Sequence, residues 1–209
     1  MNTMLTENQC RVLGALIEKE LTTPDYYPLT LNSLTAACNQ KSNRAPVVNY
    51  DEETVQDTLD ELCREELTVK IPSVTTRTMK YRHNILAKHM LTPAELAIMC
   101  ELLLRGHQTP GELRNRADRM HPFTSLDAVV EVLQQLSTRE QPLVVMLPRQ
   151  SGMKENRYAH LLSGDPLTQT ATSAPSTQQR IDTLELEVAE LKNGLEELKK
   201  AFKEFKAQF

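Results

Sequence analysis

Glycine is scarce in this chain, with six among 209 residues. Those six form no glycine-rich loop, and the patterns G-x-x-x-x-G-K-[ST], G-x-G-x-x-G, G-x-S-x-G and H-E-x-x-H are all missing. Nucleotide-binding enzymes, nucleophile-elbow hydrolases and zinc proteases are therefore disfavoured, and no enzyme activity is expected. No stretch approaches the ~20 apolar residues of a membrane span. The opening MNTMLTENQC has neither the basic nor the apolar region of a signal peptide, so a cytoplasmic protein is expected. The four cysteines, Cys10, Cys38, Cys63 and Cys100, include no CxxC pair and sit 25 to 37 residues apart. Each falls within a helical apolar pattern, where a reduced cysteine behaves as a small hydrophobe. The five histidines show no ligand spacing either, so neither a metal nor a cofactor is expected. An excess of basic charge is also missing: 24 Lys and Arg against 28 Asp and Glu give a net charge of −4. Any nucleic-acid footprint must be local.

An internal repeat is present. Leu5-Thr6-Glu7-Asn8-Gln9 and Leu91-Thr92-Pro93-Ala94-Glu95 both read as capping boxes, with Thr at N-cap and Gln or Glu at N3. The apolar residue before each cap can staple onto the helix, Leu5 onto Cys10 and Leu91 onto Leu96. Helices are expected over about 7–20 and 93–105. A second pair starts at Thr30 and Thr109, the later copy with Pro110 at N1. In a third pair, Val55, Leu59 and Leu62 match Val129, Leu133 and Leu136, the i, i+4, i+7 spacing of one buried stripe. Each copy then offers two β-prone runs around a turn: 68–74 with 78–85, and 143–147 with 157–162. Tyr81-x-His83 and Tyr158-x-His160 recur on the returning strands, and they read as packing residues rather than catalytic ones. The offset between copies drifts from 86 at the first cap to 74 at the third helix, and every insertion falls in a connection.

Three helices followed by a hairpin is the order of a winged helix, a variant of the helix-turn-helix. The fold class expected is mainly α with small β-hairpins (α+β): two tandem winged-helix modules plus a C-terminal coiled-coil helix. The modules span 1–86 and 87–162, and a Ser/Thr/Pro/Gln-rich flexible linker spans 163–179. Over 180–209, Ile181, Leu184, Val188, Leu191, Leu195, Leu198, Phe202, Phe205 and Phe209 alternate steps of 3 and 4. That is a coiled-coil seam, and a dimer is expected from it. The alternative is a single amphipathic helix lying on the body or on a target.

Several stretches closely resemble the YceH-like family of uncharacterised bacterial proteins. They are LTENQCRVLGALIEKELTTPDYYPLTLNSLTAACNQKSNR, PVVNYDEETVQDTLDEL, MKYRH and LTPAELAIMCELLLRG. The resemblance covers about residues 5–162 and continues into the C-terminal helix. It implies a tandem winged-helix fold and no particular activity.

Charge separates two functional expectations. The first is a DNA-binding protein, open to a regulatory role, that holds phosphates through wings and loops. Its candidate contacts are Lys41, Arg44, Lys70, Arg77, Lys80 and Arg82 in the first module. In the second they are Arg114, Arg116, Arg119, Arg149, Lys154 and Arg157. From Leu67 to Ala94 there is no acidic residue at all. The second expectation is a protein-interaction scaffold without DNA contact. It uses the acidic third helix of the first module through Glu52, Glu53, Asp57 and Glu61, a face that phosphate would repel. The bland reading is that basic wings neutralise an acidic helix within the same chain or a partner chain.

Overall fold

The computed structural model of the chain describes residues 4–72, 78–149 and 155–169. The chain divides into two units, Met1–Leu167 and Thr168–Phe209. The expected coiled-coil seam, Ile181 to Phe209, lies outside the described residues. So do Arg77 and Lys154.

Within the first unit, one order of elements occurs twice. The first copy runs α1 (Glu7–Thr22), β1 (Leu29–Thr30), α2 (Leu31–Cys38), α3 (Glu52–Arg64), β2 (Thr68–Pro72) and β3 (Met79–His83). A short helix, α4 (Ile85–His89), leads to the second copy. That copy runs α5 (Pro93–Arg105), α6 (Pro110–Ala117), α7 (Leu126–Ser137), β4 (Val144–Met146) and β5 (Tyr158–His160). A one-turn helix, α8 (Pro166–Gln169), occupies the start of the stretch read from sequence as linker.

Local chemistry sets the helix starts. Thr6 and Thr92 each accept from the N3 backbone amide while the Gln9 and Glu95 side chains reach back, completing both capping boxes. Thr109 and Glu112 form a third box, and Thr30 caps α2 through the Ser33 amide at 3.3 Å. The three stripe residues of α3 and the three of α7 are fully buried.

The first copy carries a three-stranded antiparallel sheet in the order β1-β3-β2, the second a two-stranded one. The likeness reaches tertiary pairing. Leu29, just before the Thr30 cap, pairs with Tyr81, and Gln108, just before the Thr109 cap, bridges to Tyr158. Two residues of strand carry no alternation that a sequence pattern can register.

The two copies share one apolar core. Its centre is the contact of α1 with α5, whose residues Gln9–Glu18 and Glu95–Leu104 are buried on every side. Gly14 permits the approach: a Cβ there would lie 2.9 Å from Leu104 Cγ and 3.2 Å from Leu103 Cβ. Burying a leucine stabilises a fold by roughly 1.5–3 kcal/mol. Leu13, Leu16, Leu102 and Leu104 are all fully buried along these two helices.

Candidate interaction surfaces

The twelve basic candidates separate once their partners are known. Arg44 corrects the expectation of a phosphate-facing loop, because its guanidinium is fully buried. It donates to Glu18 Oε2 at 2.5 Å, Glu18 Oε1 at 3.0 Å and the Ala37 carbonyl. A buried charge must be paired, and Glu18, itself fully buried on α1, supplies the pair. Arg119, placed just after α6, crosses to the other copy. Its Nη2 lies 2.5 Å from Glu18 Oε1 and 3.3 Å from Glu101 Oε1 on α5. Arg105 Nε is 2.9 Å from Glu101 Oε2, an ion pair outside hydrogen-bond angles. Burial alone would raise the Glu18 carboxyl, but Arg44 and Arg119 outweigh it and hold it below the usual carboxylate range.

Three more basic residues are engaged at the surface. Lys70 on β2 meets Asp60 on α3 at 2.6 Å, a hairpin cation neutralising a helix acid in the same chain. Arg116 and Arg157 converge on Glu112, at 3.4 and 3.0 Å. Lys41, Arg82, Arg114 and Arg149 are exposed, and Lys80 is half-buried. Lys80 and Arg82 share the outer face of β3, since residues two apart on a strand point the same way.

The helix faces differ from these hairpins. On α3, Glu52, Glu53 and Asp57 are exposed, and Glu52 accepts from Asn32 at 3.1 Å. Glu61 is half-buried and accepts from Gln9 at 3.0 Å. The one basic residue of α3, Arg64, ends it. On α7 there is none: its exposed residues are Leu126, Asp127, Val130, Glu131, Gln134 and Gln135.

The inner face of β3 is structural. Tyr81 and His83 are buried. The Tyr81 hydroxyl donates to Gln56 Oε1 at 2.8 Å, and the His83 ring meets the Glu20 carboxylate. That contact leads the causes that hold Glu20 below its ordinary range, with Arg82 adding a smaller share. In the second copy, burial first and His107 second push His160 down to about 4. The Cys10 and Cys38 thiols are pushed up to about 11 and 12, chiefly by burial, as expected of packing residues.

A cleft of about 830 Å³ lies between the end of α3 and β2. Asp60, Cys63 and Arg64 of α3, Glu66 after it, Thr68, Val69 and Lys70 of β2, and Asn84 line it, and the Lys70–Asp60 ion pair joins helix to strand across it.

Residues 5–153 match the family model described as "Protein of unknown function, DUF480". The chain belongs to this family. A UPF0502 protein of Geotalea uraniireducens is 51% identical over 219 residues, covering all of both chains. One from Solibacter usitatus is 46% identical over 209 residues, again covering all of both. A Vibrio atlanticus relative is 44% identical, covering 95% of this chain and 97% of its own. The family carries no stated activity, so the surfaces above bear the functional argument.

The basic side chains that turn inward gave one signal in the sequence. Glu18 closes the apolar run from Val12 to Ile17 on α1, where a carboxylate buried on all sides demands a cation.

Proposed function

We propose that the two copies are winged helices and that together they form a protein-interaction scaffold. One observation carries this reading. The helix in the recognition position of each copy, α3 or α7, offers no basic side chain along its exposed length before Arg64. A helix held in the major groove draws most of its grip from cations facing phosphate. Here α3 presents Glu52, Glu53 and Asp57, a field that repels DNA and suits a basic protein partner. The burial of Arg44 against Glu18, and the pairing of the still exposed Arg119 with Glu18 and Glu101, weaken the phosphate-binding alternative further.

The second reading, DNA held through the wings, has its own support in the outward Lys80 and Arg82 and the exposed Lys41, Arg114 and Arg149. Anisotropy of a labelled random duplex, followed over a range of salt, separates the two. The scaffold reading expects no binding even at low salt. Tight binding that falls steeply with salt would overturn it, because counterion release is the signature of phosphate contact.

A further inference from the structure

Five cations gather where the two copies meet. Arg44 and Arg119 hold Glu18, Lys19 stands 3.8 Å from it, and Arg105 and Arg119 flank the two oxygens of Glu101. The fifth is Arg11 on α1, 4% exposed. Its guanidinium reaches only backbone carbonyls, Cys38 O at 3.3 Å and Pro46 O at 2.5 Å. Among the described residues, Glu18 and Glu101 are the only acids that pair with these five, which leaves an excess of three positive charges. A cation drawn into the interior is expected to have a counter-charge of its own. Asp118, next to Arg119 in the chain, is exposed and forms no ion pair among the described residues. The excess is felt at Arg105. Burial first, and then Arg116, Arg119 and Arg44, hold its guanidinium below the usual range against the pull of Glu101.

The donors divide by direction. Arg11 and Arg44 turn theirs inward, onto Glu18 and the loop 37–46. Arg119 meets both of its carboxylates with one nitrogen, Nη2, and its Nη1 and Nε donate to nothing among the described residues. Arg105 places Nη2 on Asn43 Oδ1 at 2.5 Å. Its Nη1 has no protein partner among the described residues and touches solvent. The two guanidiniums with unused N–H groups are therefore the two that share the Glu101 carboxylate, one at each oxygen.

We infer that Arg105 and Arg119 together bind the phosphate group of a small phosphate monoester where the two copies join. A guanidinium presents its N–H groups as a fork that matches phosphate oxygens. Near pH 7 such a phosphate carries a charge of about −1.5 to −2, and it offsets most of the excess, which a single carboxylate does not. The side chains of Arg105 and Arg119 are 17% and 33% exposed, a recess that suits one terminal phosphate rather than the continuous backbone of a duplex. Lys41, exposed two residues before Asn43, adds a cation to the loop that Arg105 touches. This place lies apart from the acidic face of α3 and does not depend on the scaffold reading.

The test is isothermal titration calorimetry of the full chain with inorganic pyrophosphate, at an ionic strength fixed with chloride. The expected result is saturable binding at one site below about 1 mM, the weak end of specific affinity. Acetate should bind at least tenfold more weakly. Arg105→Gln leaves Glu18 with Arg44 and Arg119 and should weaken pyrophosphate at least tenfold, whereas Lys80→Glu with Arg82→Glu, or Glu52→Lys with Asp57→Lys, should leave it within twofold. NMR of the native chain gives a readout independent of any variant's folding: the Arg105 and Arg119 Nε–H resonances should move as pyrophosphate is added. Absence of saturable binding, acetate equal to pyrophosphate, or unmoved Arg105 and Arg119 resonances overturns the inference. A labelled duplex that pyrophosphate displaces and Arg105→Gln weakens would put a nucleic-acid backbone in this place and overturn the choice of a small ligand. Duplex binding that Arg105→Gln leaves unchanged would count against the scaffold reading alone, so the two fates are separable.

Discussion

The Cys100 thiol donates to the Gly14 carbonyl at 3.4 Å, and the two residues hold the same place in the two copies, eight past the caps Thr92 and Thr6. Equivalent positions of the two copies thus meet where α1 packs on α5.

That contact has no space for a branched side chain. Gly14→Val is expected to cost about 2–3 kcal/mol through overpacking against Leu103 and Leu104. For a domain of this size the loss corresponds to a fall in Tm of roughly 5–10 °C, readable by calorimetry. Gly14→Ala should cost less, since the helix regains about 1 kcal/mol from alanine's propensity.

The buried carboxylates give a ranking. Glu18→Ala strands the fully buried Arg44 and should cost about 3–5 kcal/mol. Arg119→Ala leaves Glu18 with Arg44 and Glu101 with Arg105, and should cost about 1–2 kcal/mol. Denaturant melts of the two variants check the order, and a larger loss for Arg119→Ala would contradict it.

Lys70 and Asp60 are the contrasting case, a pair whose side chains are 39% and 42% exposed. Solvent screens it, so Asp60→Asn should change stability by less than about 1 kcal/mol.

Acid should weaken the fold through His160. Its folded-state value lies near 4, below the unfolded value of about 6.5. Between those limits the unfolded chain binds the proton and the folded chain does not, so stability falls as pH drops from about 6.5 to 4. The contribution reaches at most about 3 kcal/mol. Glu18 and Glu20, both held low, act in the same direction. A His160→Gln chain should show a shallower acid limb in stability-versus-pH curves, and NMR titration of the native ring should give a midpoint near 4.

The heptads of 180–209 lead to an expectation from sequence alone. Leu191→Glu at a d position should halve the mass measured by light scattering, if the seam pairs two chains.

The helix starts were legible because each is written in a few adjacent residues: Thr6, Thr30, Thr92 and Thr109 all cap where their side chains suggest. The stripes of α3 and α7 were legible through period. Two kinds of feature were not. β1 and the Gln108 bridge are too short to show alternation, and β3 stops at His83 where the β-prone run continues to Ile85 and α4 begins. The pairing of Arg44 and Arg119 depends on one carboxylate, Glu18, 26 and 101 residues away from them, a distance at which local pattern carries no information. A loop arginine therefore reads as solvated until the fold brings α1 beneath it.

The burial of α1 and α5 on every side bears on how the molecule could be divided. Each copy acts as the other's shield from water, and the Glu18 carboxylate takes one guanidinium from its own copy and one from its neighbour. A fragment cut between α4 and α5 would bare a helix of almost unbroken apolar surface and leave Glu18 with one of its two guanidinium partners, an aggregation-prone species rather than a half-sized working part.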